Sequence, residues 1–349
     1  MSLNVSVAIA TFNGEKYLVE QLQSIEEQIY PPYEVVICDD CSTDRTLELA
    51  KKFARKSRLK IRIHRNKKNI GFSQNFLNCS SACKGDWIAF CDQDDIWLPD
   101  KLKRVVSEIN EDRTNELVLV CHSAILSDMQ LVPFGHRIPD YRKYKRYAKL
   151  EQYGFICIPG FTITFNSKLL NNINSGVRPD DYFSLNGEPL SHDKWIPLLA
   201  NVEGHTVYLP DSLAIYRRHP EALSGNYLRQ SLAQRIKKAR TVGTTFYKAQ
   251  SLAAYECAES LSCIASTIHD DMRCLHFLNG AKSYRKLSKI MQLRSEVYSA
   301  GLAHRIACLA KILFLKGYWG DRFVSQGSLA FIKDLFNLFL RKNVDERMD

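Results

Sequence analysis

The stretch Trp87-Ile-Ala-Phe-Cys-Asp-Gln-Asp-Asp95 decides the fold, because an apolar run ends abruptly in a cluster of carboxylates. Consecutive apolar residues are typical of a strand that is buried on both faces of a parallel sheet. In open α/β sheets, ligands bind outside the carboxyl ends of such strands. The residues after the run are therefore candidate ligand-binding residues: Asp92, Gln93, Asp94 and Asp95.

Strands and helices alternate on the amino-terminal side of this stretch. Strands are predicted at Val5–Ala10, Glu34–Cys38 and Lys60–His64, and helices at Glu15–Glu27, Thr43–Lys56 and Phe72–Cys83. We expect Ser42 or Thr43 to cap the second helix and Pro99 to open a fourth. The pattern predicts an α/β fold with a mostly parallel sheet and helices on both faces. After about Gln230 it becomes wholly helical, which predicts domains at 1–228 and 229–349.

Polar residues also follow the first two strands. Thr11-Phe-Asn13 ends the first strand and Asp39-Asp40 ends the second, so both loops are expected beside residues 92–95. A carboxylate at the end of the second strand can accept hydrogen bonds from a nucleoside. The alternative interpretation is a cap for the next helix.

The acidic cluster itself suggests a metal. Three carboxylates within four residues repel one another unless a cation lies among them, and Mn²⁺ or Mg²⁺ prefers carboxylate oxygens. A solvated acidic turn is the alternative. Neither G-x-G-x-x-G nor a P-loop follows a strand, so the phosphates of a nucleotide would be left to the metal.

Composition sets wider limits. The chain has 349 residues and a formal net charge of +10, of which residues 231–349 carry +9 (19 basic minus 10 acidic). A basic tail suits an anionic surface such as a membrane, although a solvated helical face has the same composition. The eleven cysteines are scattered and odd in number, which argues against a disulfide framework and favours a cytoplasmic location. No signal peptide or membrane span is expected.

Four segments in order resemble glycosyltransferase family 2. They are Val7–Asn13, Val36–Asp44, Asn69-Ile-Gly-Phe-Ser-Gln-Asn75 and Lys84–Asp95, and the resemblance extends over about residues 3–225. It implies a GT-A fold, an inverting mechanism and a nucleotide-diphosphate sugar donor. The third and fourth segments resemble the bacterial rhamnosyltransferase-like branch, although Gln74 stands where many members carry Arg.

The resemblance also assigns roles to single residues. Asp94 would bind the metal and Asp92 the ribose. The other expected donor-binding residues are Thr11, Phe12, Asn13, Asp39, Asp40, Gly71, Asn75 and Gln93.

Two later segments complete the expected site. Asp193, at the start of a predicted helix, is the candidate base that deprotonates the acceptor hydroxyl; the alternative is a carboxylate that stabilises the helix dipole. The segment Tyr216-Arg-Arg-His219, followed by Ser224-Gly225, resembles the family's closing segment. Arg217 and Arg218 would offset diphosphate charge, and His219 would be a further metal ligand.

The resemblance implies a saccharide acceptor, expected on a polyprenyl pyrophosphate at the inner membrane face. Apolar residues recur at helical spacing in the tail, which predicts faces that contact either lipid or the protein itself. These are Leu302, Ile306, Leu309 and Leu313, and then Leu329, Ile332, Leu335, Phe336 and Phe339.

Residues 136–149 interleave basic side chains with tyrosines, and we expect a loop there. Such a composition suits a pyrophosphate-bearing acceptor or, superficially, nucleic acid. A nucleotidyltransferase that uses the same aspartates is the second functional hypothesis. A nucleic-acid-binding protein is the third; because it leaves the aspartates unexplained, we expect no nucleic-acid partner.

Overall fold

The computed structural model describes residues 3–173, 178–181, 188–220 and 243–339. These residues form two compact units. The first comprises residues 3–149, 156–173 and 191–220, and the second comprises 150–155, 178–181, 188–190 and 243–339. The predicted boundary at 228/229 and the Ser224-Gly225 segment lie outside the described residues.

The first unit contains ten strands and six helices among its described residues. The strands are β1 (Val5–Thr11), β2 (Glu34–Asp39), β3 (Ile61–Arg65), β4 (Trp87–Cys91), β5 (Ile96–Trp97), β6 (Leu117–Ser127), β7 (Pro133–Ile138), β8 (Lys145–Tyr147), β9 (Ile163–Asn166) and β10 (His205–Arg217). The helices are α1 (Leu18–Glu26), α2 (Thr46–Ala54), α3 (Phe72–Ala82), α4 (Lys101–Glu111), α5 (Leu170–Ile173) and α6 (His192–Glu203).

One sheet joins eight of these strands in the order β3-β2-β1-β4-β9-β6-β10-β5, and β7 and β8 extend it by pairing with β6 and β10. Strands β3, β2, β1 and β4 run parallel, β9 runs antiparallel between β4 and β6, and β10 runs parallel to β6. Every residue of β2 and β4 is buried, as expected for central strands covered on both faces. The carboxyl ends of β1, β2 and β4 therefore lie side by side.

Three local predictions are wrong. Arg45 precedes α2, so neither Ser42 nor Thr43 caps it, and Pro99 does not open α4, which begins at Lys101. Residues 136–149 are not simply a loop, because they contain the end of β7 and all of β8. Strand β8 pairs antiparallel with residues 206–208 of β10. Pairing between segments so distant in sequence leaves no local pattern.

The second unit is helical in its described part. Its helices are α7 (Thr244–Ser266), α8 (Asp271–Ser299), α9 (Leu302–Phe314) and α10 (Gly327–Phe339). Asp334 on α10 is fully buried and accepts hydrogen bonds from Arg294 Nε (2.7 Å), Tyr298 Oη (3.0 Å) and Tyr318 Oη (2.7 Å). A buried carboxylate with this many donors fixes the rotation of α10 against α8.

Within the described residues, no helix is long and apolar enough to cross a membrane.

Candidate active site

The turn after β1 is held by side chains from two neighbouring loops. Asn13 has a left-handed backbone (φ 47°), and its amide donates to Ser42 Oγ at 3.0 Å. Gln93 makes two reciprocal hydrogen bonds with the backbone of Phe12, each 3.0 Å long. The Phe12 ring is left 45% exposed at this edge of the sheet. The turn therefore presents a fixed aromatic surface next to the acidic cluster.

Asp39 is buried at the end of β2, where both of its oxygens are engaged. Oδ1 accepts hydrogen bonds from Ser42 Oγ (2.5 Å) and Thr11 Oγ1 (3.3 Å), and Oδ2 accepts one from the Ser42 amide (3.0 Å). Arg65 Nε lies 3.6 Å from Oδ2. Ser42, expected as a helix cap, instead joins the β1 turn to Asp39.

Asp40 organises the segment that leads into α3. Its carboxylate accepts hydrogen bonds from Asn66 Nδ2 (2.8 Å) and from the amides of Ile70 (2.9 Å) and Gly71 (2.9 Å). Gly71 has φ 83°, a conformation that favours glycine. Asn75 bridges from Asn66 to the carbonyl oxygen of Cys38. Asp40 and Asn75 therefore bond to the chain itself and hold the segment between β3 and α3 in place.

The side chains of Asp92, Asp94 and Asp95 converge after β4. One oxygen from each carboxylate lies within 4.8 Å of the others. Asp95 is fully buried, and its Oδ1 accepts a hydrogen bond from the backbone amide of Arg217 at 3.2 Å. Its Oδ2 has no hydrogen-bond partner among the described residues. A cluster of this composition attracts a hard divalent cation.

Electrostatics within the cluster agree with this geometry. Burial, together with the charges of Asp94 and Asp193, raises the pKa of Asp92 to about 8, while the charge of Lys101 opposes this shift. Burial, with the charges of Asp94 and Asp92, also raises the pKa of Asp95 well above its ordinary value. Burial and the mutual repulsion of the aspartates therefore disfavour the charged form of both carboxyls, and the nearby Lys101 offsets this only in part.

The end of β10 and the two residues after it bring basic residues to this edge of the sheet. His219 Nε2 lies 2.8 Å from Asp94 Oδ2, and the His219 ring lies 4.7 Å from that of Tyr17. The Arg217 guanidinium is buried, lies over the same tyrosine and pairs with Glu20 Oε2 at 2.5 Å. Arg218 donates its backbone amide to the carbonyl oxygen of Ser127.

Asp193 stands in the first turn of α6. Its Oδ1 accepts a hydrogen bond from Ser191 Oγ, and Cys157 Sγ lies 3.8 Å from its Oδ2. Its charge contributes to the raised pKa of Asp92, so the two carboxyls are within electrostatic reach of each other. The neighbouring His192 is buried and stacks on Phe76 at 4.2 Å, which fixes the start of the helix.

Gly160 is a close-approach glycine beside this helix, because a Cβ there would lie 2.5 Å from His192 Nε2. The Pro159-Gly160-Phe161 turn therefore lies against the start of α6.

Lys101 and Glu20 are two site residues for which the sequence analysis predicts no role. Lys101 is fully buried; its Nζ donates to the carbonyl oxygen of Phe161 at 2.8 Å and lies 3.6 Å from the centroid of the Trp97 ring. Burial lowers the pKa of Lys101 to about 7, against the opposing charges of Cys91, Asp95 and Asp92. Its position two residues after Pro99 indicates a helix start, and a lysine there is usually solvated.

The predicted residues thus form two groups. Phe12, Asp92, Asp94, Asp193, Arg217 and His219 gather around the acidic cluster, whereas Asp39, Asp40, Gly71 and Asn75 build the adjoining loops. A second potential metal-binding group, Glu296, His304 and Cys308, lies in the second unit.

Comparison with solved structures identifies the architecture. The first 349 residues of Staphylococcus aureus TarS align over 96% of this chain and 89% of that one, with a TM-score of 0.53 and 17% identity. At this identity the likeness concerns the fold alone. It confirms an α/β fold of the GT-A type with a C-terminal helical extension.

The family follows from the sequence comparisons. The family model described as Glycosyl transferase family 2 matches residues 6–172. The putative glycosyltransferase EpsE of Bacillus subtilis is 36% identical over 114 residues, which are 33% of this chain and 41% of EpsE. The poly(ribitol-phosphate) beta-N-acetylglucosaminyltransferase TarS of Staphylococcus aureus is 33% identical over 120 residues, 34% of this chain and 21% of TarS.

The matched residues, 6–172, are 167 of the chain's 349 residues, and they place this part of the chain in glycosyltransferase family 2. The chain matches less than half the length of these two curated relatives.

Proposed function

We propose that the protein transfers a sugar, with inversion, from a nucleotide-diphosphate donor to a saccharide acceptor. The observation that carries this proposal is the cluster of Asp92, Asp94 and Asp95, under-neutralised by the chain and within electrostatic reach of Asp193. A cation-binding group and a candidate base within one site are what such a transfer requires.

The donor set fits a divalent cation. Its carboxylate oxygens lie within 4.8 Å of one another, and burial together with the charges of Asp94 and Asp193 raises the pKa of Asp92, an unfavourable effect that a bound cation would offset. Asp94, supported by Asp92, Asp95 and His219, would hold Mn²⁺ or Mg²⁺. When bound, the cation would neutralise the charge of the donor diphosphate.

Asp193 would act as the base. Ser191 donates to its Oδ1, and its Oδ2, which lies 3.8 Å from the weak donor Cys157 Sγ, would accept the proton of the acceptor hydroxyl. As that proton moves to Asp193, the hydroxyl oxygen forms a bond to the anomeric carbon. The bond from this carbon to the diphosphate breaks on the opposite face, and the nucleoside diphosphate departs with the electron pair.

Other residues would bind the donor. The exposed Phe12 ring would contact the nucleoside base, and Asp92 would accept a hydrogen bond from the ribose. Arg217 and Arg218 would lie near the diphosphate, with Glu20 fixing the guanidinium of Arg217.

The donor sugar is a finer part of the proposal. The branch resemblance favours dTDP-L-rhamnose, and a UDP-hexose is the next candidate. TarS, whose structure is known in complex with UDP-GlcNAc, supports keeping UDP-sugars in the test.

The acceptor would be a growing bacterial surface polysaccharide, such as O-antigen, capsule or exopolysaccharide, on a polyprenyl pyrophosphate. Transfer would then take place in the cytoplasm at the inner membrane face. The chondroitin synthase of Escherichia coli, 28% identical over 182 residues (52% of this chain, 26% of that protein), supports a polysaccharide product.

The test is a panel of UDP-, GDP- and dTDP-sugars with the purified protein, in Mn²⁺, Mg²⁺ or EDTA. Binding and hydrolysis of each donor would be measured for the wild type, Asp94→Ala and Asp193→Ala. We expect one donor to bind only with metal, Asp94→Ala to lose that binding, and Asp193→Ala to keep binding but lose transfer. Consumption of a nucleoside triphosphate with release of pyrophosphate, independent of Asp193, would favour a nucleotidyltransferase.

A further inference from the structure

Helix α10 buries its acidic side chain and exposes apolar ones, which is the opposite of a helix whose outer face contacts water. Its one acidic residue, Asp334, is fully buried, whereas Leu329 is 83% and Phe336 is 66% exposed. Ile332 and Leu335 lie on the same outward side. Because Asp334 is bonded to Arg294, Tyr298 and Tyr318, the helix cannot rotate to hide its apolar side chains without unpairing a buried charge.

Helix α9 has a matching outer face. Leu302, Ile306 and Leu313 are exposed and share one side with exposed alanines, and Phe314 at the helix end is 87% exposed. Leu309, predicted on this side, is instead buried together with Cys308 and Ile312. The inner face is thus apolar as well, but it comprises only these three buried residues, and the larger number of apolar residues on the helix is not buried.

The two outer faces belong to one surface. Glu296 on α8 contacts His304 and Cys308 of α9, while Arg294 on α8 holds Asp334 of α10. Arg305 Nη1 donates to the carbonyl oxygen of Asn337 at 3.1 Å and joins the start of α9 to the end of α10. Since both helices are held to α8 by their inner sides, both outer sides point away from it.

Charge around this surface is positive. Between residues 301 and 339, five basic side chains accompany two acidic ones, a net of +3 (5 − 2). Both acidic residues are already paired, Asp334 with Arg294 and Asp321 with Lys286. The exposed Lys311 and Lys316 flank the apolar face of α9.

We propose that the outer faces of α9 and α10 bind the surface of an anionic lipid bilayer, with Leu302, Ile306, Phe314, Leu329 and Phe336 in the acyl region. Apolar side chains rimmed by lysine, with no membrane-spanning helix in the described part of the chain, are the features of an interfacial helix pair. This inference gives a physical form to the membrane location in the proposed function, but it stands on the second unit alone.

The fluorescence of Trp319 can be used to detect contact with the bilayer. Of the four tryptophans, all of which are in the described residues, Trp87, Trp97 and Trp195 are buried and Trp319 is 46% exposed. Trp319 Nε1 donates to Ser328 Oγ at the start of α10, beside Leu329. We expect vesicles containing about 30% phosphatidylglycerol to shift the tryptophan emission to the blue. The shift should be absent in Trp319→Phe.

Co-flotation of the full chain with the same vesicles measures binding directly. Binding should weaken about tenfold or more with neutral phosphatidylcholine vesicles and at high salt. Leu329→Gln combined with Phe336→Gln should reduce it about tenfold or more. The matched control, Leu275→Gln with Leu278→Gln, changes two half-exposed leucines of α8 and should bind as the wild type does.

Two results would overturn the inference. One is a wild-type protein that stays unbound with anionic vesicles while its fold is intact. The other is a dimer, seen by light scattering, that Leu329→Gln with Phe336→Gln dissociates, since a second copy would then cover this surface. Donor hydrolysis, measured without lipid, should be the same in all these variants, so failure here is distinguishable from failure of the proposed transfer.

Discussion

Buried carboxylates occur in both units, and their surroundings differ. Asp334 in the second unit has an arginine and two tyrosines as hydrogen-bond donors. Asp95 in the first unit has one backbone amide, and one of its oxygens has no partner among the described residues. The chain itself neutralises the carboxylate of Asp334, whereas the proposed cation would complete the surroundings of Asp95.

This difference in hydrogen-bond donors distinguishes an acid that stabilises the fold, Asp334, from one that belongs to the proposed cation site, Asp95. Burial of a charge is tolerated when the folded chain supplies its partner and is unfavourable when it does not. An under-neutralised cluster lowers stability and persists where it has a use. Removing an acid should therefore have opposite consequences at the two places.

The largest effect is expected for Asp94→Asn. Turnover of the nucleotide-sugar donor should fall about a thousandfold, because a ligand of the cation is lost. The melting temperature without metal should stay the same or rise, because one repulsive charge is removed. Steady-state kinetics and thermal melts in EDTA measure the two quantities. A strong loss of stability would place Asp94 in the same class as Asp334.

The next effect is expected for Asp334→Asn, which should lower the free energy of unfolding by about 3 kcal/mol. Arg294 would remain buried without its counter-ion. Chemical denaturation measures the loss, and the exposed pair of Arg285 with Glu259 supplies the control. Glu259→Gln should change stability by less than about 0.5 kcal/mol. Donor hydrolysis per folded molecule should remain within about twofold of the wild type.

A smaller effect is expected for Asp112→Asn, about 2 kcal/mol of stability at neutral pH. Although burial alone would raise the pKa of Asp112, hydrogen bonds from Arg146 (2.6 Å), Thr114 and the Leu117 amide hold it well below the ordinary value. The stability from this depressed pKa is present above about pH 4 and is lost as the pH falls further. Denaturation of both proteins from pH 3 to pH 7 should show the difference shrink only at the acid end.

Asp92 should show the opposite sign. Its folded pKa of about 8 lies above the ordinary 3.8, so between these values the folded state binds more protons than the unfolded state. In EDTA, lowering the pH from about 9 to 6 should therefore stabilise the wild type relative to Asp92→Asn. Stabilisation by Mn²⁺ should shrink over the same range, because protons compete for the carboxylate. Melting temperatures that are independent of pH in both proteins would contradict this.

The sheet could be predicted from sequence because its central strands are continuous apolar runs. Strand β4 has the predicted bounds, since every residue from Trp87 to Cys91 is buried. Strand β8 could not be predicted from sequence, because Lys145-Arg146-Tyr147 is stabilised by pairing with β10, about sixty residues away. A local run of apolar residues indicates a strand that is buried on both faces. It gives no information about pairing with a segment that comes much later in the chain.

Site residues divide in the same way. The acidic cluster is visible in sequence because charge directly follows an apolar strand. Lys101 is not visible, since only the folded chain shows its ammonium group buried against Phe161 and Trp97. Leu309 has the spacing of an outward face, yet it lies against the second unit's interior. The spacing of apolar residues shows which of them share a side of a helix. Only tertiary packing determines which side is buried.

The two hydrogen bonds between Gln93 and the Phe12 backbone restrict which residues positions 14 and 93 can carry. A Cβ on Gly14 would lie 2.2 Å from Gln93 Oε1, so any larger residue there displaces the amide that holds the β1 turn. Positions 14 and 93 should therefore covary among relatives, and a mutant library that randomises either one alone should yield few active clones. Randomising them together should recover sequences in which a shorter residue at 93 makes room for a side chain at 14.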